Sequence, residues 1–248
     1  MFMVRGRQLG FSFRTWGGKR PGAGRPSKAA AAGVSQLRRP ALSRRHPVHV
    51  TLRIVAGVPS LRDGRIFTSV RAALAAGQER FGFRLVHFSV QSNHLHLIVE
   101  AGGRAALSLG MQGLSVRVAR AVNRSLARRG RLFADRYHAR ALQTPRAVHF
   151  ALRYVLLNVR KHTRTRSSGR VAWSDTPAGF IDSRSSAAWF DGFQRPGELA
   201  FGARRARADW CASSHLEAPV VAGKTWLLRE GSRRYGGFDI DDAPSGPD

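Results

Sequence analysis

The chain has 248 residues, with 42 Lys and Arg against 15 Asp and Glu, a net charge of +27 and one cysteine. A single cysteine excludes an intramolecular disulfide framework and a cysteine-rich zinc site. No apolar run approaches the roughly 18 residues a membrane span needs, and the start lacks a signal-peptide core, so a cytoplasmic protein without a membrane partner is expected.

The charge is uneven. Residues 1–174 hold 33 Lys and Arg against 4 acids, whereas residues 175–248 hold 9 against 11. A surplus made mostly of arginine attracts a polyanion at long range, releases counterions on binding and grips phosphate through a planar fork. Nucleic acid is the expected partner. Before residue 175 the acids are Asp63, Glu79, Glu100 and Asp135. A two-metal site built from several carboxylates is therefore disfavoured, and a histidine-based single-metal site fits better.

Residues 1–43 are basic, rich in Gly, Ala and Pro and without sustained periodicity, which predicts a disordered arm. Within it Lys19-Arg20-Pro21-Gly22-Ala23-Gly24-Arg25-Pro26 resembles an AT-hook, whose Gly-Arg-Pro core lies along the minor groove of A·T-rich DNA. Ala23 stands where the hook normally has an arginine. Lys19, Arg20 and Arg25 are candidate DNA contacts, either in that groove or on a solvated, sequence-blind arm.

Residues 44–165 read as the compact catalytic unit. A strand is expected near His46–Ile54, with Pro47 at its start, and a helix near Arg65–Arg80 that carries Phe67, Val70, Leu74 and Gly77. Phe83–Val90 and His94–Ala101 read as strands of a hairpin turning at Gln91-Ser92-Asn93. On the second strand His94 and His96 share one face, with Leu95, Leu97 and Val99 on the other. Two imidazoles on a rigid strand make half of a divalent-metal site; the alternative is a pair of histidines on the wet face of a half-buried sheet.

A longer helix follows, about Ala105–Arg129, burying Leu107, Met111, Leu114, Val118, Val122 and Leu126 and ending at Gly130. A fourth strand lies near Arg136–Gln143. Thr144 and Pro145 then cap and open an amphipathic helix that runs from Ala147 to His162. Its apolar stripe is Val148, Ala151, Leu152, Val155, Leu156 and Val159. Tyr154 and Asn158 are four apart and flank that stripe, a phenol beside an amide oxygen able to meet a metal. The alternative is a core-edge tyrosine with an exposed asparagine. The order β-α-β-β-α-β predicts an α+β ferredoxin-like plait: a four-stranded antiparallel sheet with helices on one face, followed by the Tyr154 helix.

Residues 166–248 read as a partly disordered appendage after the linker Ser167-Ser168-Gly169. Trp173, Trp189, Phe190, Phe193, Trp210 and Trp226 imply some packing, and the acidic end from Asp239 to Asp248 is expected to be disordered. Cys211 is a bystander. Tyr137 is the rival nucleophile, on a strand with no metal-type ligand at a helical offset. His46, His49, His87, His138, His149, His162 and His215 lack a metal spacing, though His46 and His138 could touch phosphate.

His94-Leu95-His96 followed by Tyr154-Val155-Leu156-Leu157-Asn158 resembles the one-tyrosine HUH transposases, above all the REP-associated tyrosine transposases. Supporting stretches are His46-Pro47-Val48-His49-Val50-Thr51-Leu52-Arg53, Asp135-Arg136-Tyr137-His138-Ala139-Arg140 and Leu152-Arg153-Tyr154. The resemblance spans roughly residues 44–163. It departs at Asn158-Val159, where the family often has Asn-Pro, so the helix need not stop there.

The resemblance implies strand cleavage and rejoining by transesterification. Tyr154 would be the nucleophile, forming a 5′-phosphotyrosine and a free 3′-hydroxyl. His94, His96 and Asn158 would hold one Mg²⁺ or Mn²⁺. The partner would be single-stranded and hairpin DNA from repetitive palindromic elements, contacted by Arg53, Arg136 and Arg140, with the protein a monomer or homodimer. No general base is identified. Alternatives are a catalytically inactive DNA-binding protein of the same fold, against which the intact His94, His96, Tyr154 and Asn158 argue, and a replication or mobilisation initiator nickase. Initiators usually carry more tyrosines or a helicase domain, and this chain has no phosphate-binding Gly-Lys-Ser loop.

Overall fold

Val48, Val50 and Leu52 alternate with His49, Thr51 and Arg53, and this period of two makes Val48–Arg53 a strand, β1, with one apolar and one polar face. The computed structural model describes residues 41–159, 179–194 and 218–242. Phe83–Val90 (β3) and His94–Ala101 (β4) form the hairpin at the bounds the sequence predicts. A short strand, His138–Ala141 (β5), replaces the longer one expected over 136–143.

The sheet is antiparallel and α+β as expected, but it has five strands, ordered β2-β3-β4-β1-β5. The additional edge strand is β2, Glu79–Arg80, which pairs back onto β3 through the left-handed residues Phe81 (φ 50°) and Gly82 (φ 74°). Two exposed charged residues carry no periodicity, so β2 leaves no mark in the hydrophobic pattern.

Helix α1, Gly64–Ala75, is capped by Asp63, whose side chain accepts from Arg65 N. It stops short of Gly77, where a Cβ would come within 2.8 Å of Leu114 on the next helix. Helix α2, Arg104–Ser125, ends earlier than the predicted Arg129 because the chain turns through a left-handed Ala127 (φ 48°). Its middle crosses β3 at Gly110, where a Cβ would sit 2.2 Å from the Phe83 ring. Only glycine admits that approach.

Both helices cover the face carrying Val48, Val50, Leu52, Leu95, Leu97 and Val99, and together these form the larger core. Each fully buried aliphatic or aromatic side chain there contributes about 1.5–3 kcal/mol. The opposite face is covered by helix α3, Pro145–Leu156, opened by Pro145 and capped by Thr144 Oγ1 accepting from Ala147 N at 3.1 Å. The sheet is thus covered on both sides rather than on one. Val148, Ala151, Leu152, Val155 and Leu156 pack with Ile98 in a second core. The helix does not run on to His162 as a single piece: Leu157 (φ −103°, ψ 10°) breaks it one residue before Asn158.

The described segments after residue 178 are built into this second core. Ile181, Ala187, Ala188, Phe193, Leu227, Phe238 and Ile240 bury against α3. Asp182 takes a two-pronged pair from Arg62 at 2.9 and 2.8 Å, and Ser186 Oγ accepts from Phe88 N at 2.9 Å. Buried Glu100 accepts from the backbone N–H groups of Lys224 and Thr225, at 2.9 and 2.6 Å. These segments belong to the same compact unit as the sheet, Val34–Asp248, and are not peripheral to it. Among the described residues no helix is long and apolar enough to cross a membrane.

Candidate active site

β1 and β4 are neighbours, with Thr51 opposite His96, Arg53 opposite His94 and His49 opposite Ile98. Residues opposite each other in an antiparallel pair point to the same face, so His49, Thr51, Arg53, His94 and His96 converge on one side of the sheet. Helix α3 lies over that side and brings down Tyr154.

His96 is the hub. Its Nε2 lies 3.4 Å from the Tyr154 hydroxyl. Its Nδ1 lies 3.2 Å from Thr51 Oγ1 and 3.3 Å from His49 Nε2. The His94 and His96 rings are 4.6 Å apart and edge-to-face, and the His96 and Tyr154 rings 4.9 Å apart. His94 is half-exposed at the start of β4, with Nδ1 held 2.7 Å from Asn93 Oδ1. In each histidine Nδ1 is met by a neighbouring oxygen, and in His96 this leaves Nε2 turned towards the Tyr154 hydroxyl. That is the second-sphere arrangement that fixes a ligating imidazole.

Spacing along the chain gives His49 no role, yet the structure places it in the site. Burial, then the charges of His138 and Arg140, lower its pKa to about 4, so at neutral pH it is an uncharged partner for His96. Its alternation with Val48 and Val50 marks it as a polar-face residue. What the sequence lacks is the knowledge that β1 lies beside β4.

Asn158 is fully buried, and neither Oδ1 nor Nδ2 has a hydrogen-bond partner among the described residues. A buried amide without a partner is costly, and it is what a ligand to an ion would look like before the ion binds. The break at Leu157 means that Asn158 does not follow Tyr154 in an unbroken helix, contrary to the simple four-residue spacing. Among the described residues no three His, Cys, Asp or Glu side chains group to hold a metal ion. The His94 and His96 rings stand 4.6 Å apart, while no hydrogen bond joins the Asn158 amide to either.

Arg53 is exposed at the end of β1 beside His94, and Arg140 is exposed on β5 opposite His49, so both border the histidine face. Arg136 is exposed just before β5, and its backbone N–H donates to Asp135 at 2.7 Å. Lys19, Arg20 and Arg25 lie outside the described residues. Tyr137 is buried in the larger core with α1 and α2, away from the histidine face, which removes it as a nucleophile there.

Residues 46–156 match the model of the IS200-like transposase family. No curated protein matches the chain significantly. A solved structure of a REP-associated tyrosine transposase bound to a REP hairpin resembles it at 15% identity and a TM-score of 0.42, over 52% of this chain and 74% of that one. The matched segment runs from just before β1 to the end of α3 and contains His94, His96 and Tyr154, so in this part the chain is similar to the IS200-like transposases.

Proposed function

We propose that this chain is a DNA transposase that cuts and rejoins one strand of hairpin-forming DNA, with Tyr154 as the nucleophile. The observation that carries the reading is the Tyr154 hydroxyl lying 3.4 Å from His96 Nε2, on a face that also presents His94. Tyr154 Oη attacks the scissile phosphorus, an O–P bond forms, and the P–O3′ bond breaks. The phenol gives up its proton as Oη bonds to phosphorus, and the 3′ oxygen leaves, takes up a proton and becomes a free hydroxyl, while the 5′ phosphate stays on the tyrosine. The bond energy is kept in the phosphotyrosine, so the reverse attack reseals a strand without ATP.

His94 and His96, through Nε2, and Asn158, through its amide oxygen, would hold Mg²⁺ or Mn²⁺. Such an ion, when bound, polarises the scissile phosphate. Thr51 and His49 keep the His96 ring from rotating, and the second core holds α3 so that the phenol stays at the sheet. Arg53 and Arg140 flank the face and meet phosphates on either side of the cut.

The test is a labelled hairpin carrying a single-stranded flank, incubated with the full chain and Mn²⁺ and resolved under denaturing conditions. A covalent protein–DNA adduct is expected from the wild type and none from Tyr154→Phe, with hairpin binding by the variant unchanged to within a few-fold. An adduct of normal yield from Tyr154→Phe overturns the assignment.

A further inference from the structure

A cleft of about 610 Å³, with His46 in its lining, opens at the end of the sheet away from His94 and His96, where β4 finishes at Ala101. Glu100 lines it, four residues beyond His96 and so about 13 Å along the strand. Its volume falls in the range of pockets that enclose a small organic group. Its walls carry Arg44, Arg45 and Lys224, with Trp226 among them. Arg44 and Arg45 are exposed and meet no acid among the described residues. The Lys224 side chain is 70% exposed.

Trp226 is the unusual wall. It is 53% exposed although it stands in a folded turn. The indole rests on Gly231, where a Cβ would lie 2.8 Å from a ring carbon, so the backbone itself seats the ring. The Arg234 guanidinium stands 6.0 Å from the ring centroid. A fixed, half-bare indole among cations is the arrangement on which an unpaired base stacks while its phosphates are held. The acids nearby do not oppose this. Glu100 is engaged by two backbone N–H groups and by Arg84 Nε at 3.4 Å, and Glu79 pairs with Arg84 and Lys224.

We propose that this cleft is a second DNA site, set at the far end of β4 from the histidine pair. It takes an unpaired base of the single-stranded flank on Trp226 and the flanking phosphates on Arg44, Arg45 and Lys224. The proposal rests on the reading that the chain acts on DNA, and deepens it by saying which part of the substrate is gripped away from the scissile bond.

The probe is one fluorescent hairpin in two forms, with a single-stranded flank and trimmed flush, titrated with the full chain at one fixed salt concentration. Wild type is expected to bind the flanked form more tightly. Trp226→Ala should lose roughly ten-fold or more on the flanked form and almost nothing on the flush one, while Trp226→Phe keeps most of the preference. If Trp226→Ala fails to fold, the double variant Arg44→Gln, Arg45→Gln carries the test. It should shrink the salt dependence of flanked binding by about 0.7 in log–log slope for each phosphate no longer gripped. Equal losses on both forms, or none on the flanked form, overturn the proposal; a cleft that serves a protein partner would give the second result. A wild type that forms the Tyr154 adduct yet ignores the flank overturns this site alone. A wild type that neither binds hairpins nor forms an adduct overturns the DNA reading beneath it.

Discussion

Thr51 Oγ1 and His96 Nδ1 meet across the β1–β4 pair at 3.2 Å, so a residue on one strand sets which nitrogen its neighbour turns outward. Thr51→Val keeps the β-branched shape and removes the oxygen. The expected effect is a ten- to hundred-fold loss in metal affinity or cleavage, the usual scale for a second-sphere partner. Thr51→Ser should restore most of it. Mn²⁺ titrations of adduct yield, with calorimetry of Mn²⁺ binding, give the answer; a Thr51→Val protein with unaltered Mn²⁺ affinity would show that the contact is incidental.

His94→Ala and His96→Ala should each remove cleavage, since a three-donor site does not survive the loss of one imidazole. Hairpin binding should persist within a few-fold, because arginine contacts to phosphate dominate affinity. Wild type that cleaves at full rate in excess EDTA would show that no metal takes part.

Acid should loosen the fold. Burial lowers His87 to about 4, against a small opposing pull from Asp191, and burial also lowers His49 to about 4. Each histidine is therefore neutral when folded and binds a proton on unfolding at any pH between about 4 and the ordinary 6.5. The unfolded state holds more protons in that window, so stability is complete above about 6.5 and falls as the pH drops towards 4. The slope is at most about 1.4 kcal/mol per pH unit for each group. Urea melts at pH 7.5, 6 and 5 should show the decline, and His87→Gln should flatten it. A decline that is identical in His87→Gln would remove His87 as a source.

Gly110→Ala places a methyl carbon 2.2 Å from the Phe83 ring, and that ring is wholly buried in the larger core. The expected cost is about 1–3 kcal/mol, seen as a lower melting temperature. Gly113→Ala, one turn further along α2, meets only the tip of the Arg117 side chain at 3.4 Å and should be neutral or slightly stabilising. Equal melting temperatures for the two variants would mean that α2 does not lie on β3 in this way.

Deleting residues 1–43 removes Arg5, Arg7, Arg14, Lys19, Arg20, Arg25, Lys28, Arg38 and Arg39 and no acid. For each phosphate that the arm ceases to hold, the log–log salt slope of DNA binding should shrink by about 0.7–0.9, depending on strandedness. Cleavage of a saturating short substrate should survive. An A·T preference that vanishes with the deletion supports the groove-reading segment around Lys19, Arg20 and Arg25, whereas sequence-blind weakening supports a plain basic arm. A truncated chain that binds saturably and fails to cleave would bring the arm into the active site.

The hairpin is legible in the sequence because alternation is local: Leu95, Leu97 and Val99 separate from His94 and His96 in a window of six residues. The same holds for the Thr144 cap, the Pro145 start and the stripe of α3. His49 is not legible in its role, since its partner His96 is 47 residues away and the pairing of β1 with β4 is a choice the two strands make only in three dimensions. Residues 179–194 show no period because they are held by side chains on strand backbone, as when Ser186 Oγ meets Phe88 N across 98 residues. The end of α3 is hidden for another reason. Leu157 and Val159 continue the apolar count, and propensity gives no sign of the break at Leu157.

The pairing of Arg62 with Asp182, 120 residues later, has a consequence for how the protein is made. A nascent chain has all of the α1–α2 core once Tyr137 has emerged. The core that holds α3 still lacks Leu227, Phe238 and Ile240 at that moment. An unfinished or prematurely released chain therefore carries a half-covered sheet over which Tyr154 is not yet fixed above the histidines. The seat that holds Tyr154 over the histidines is completed by residues 227–240, long after Tyr154 and the histidines themselves have been translated.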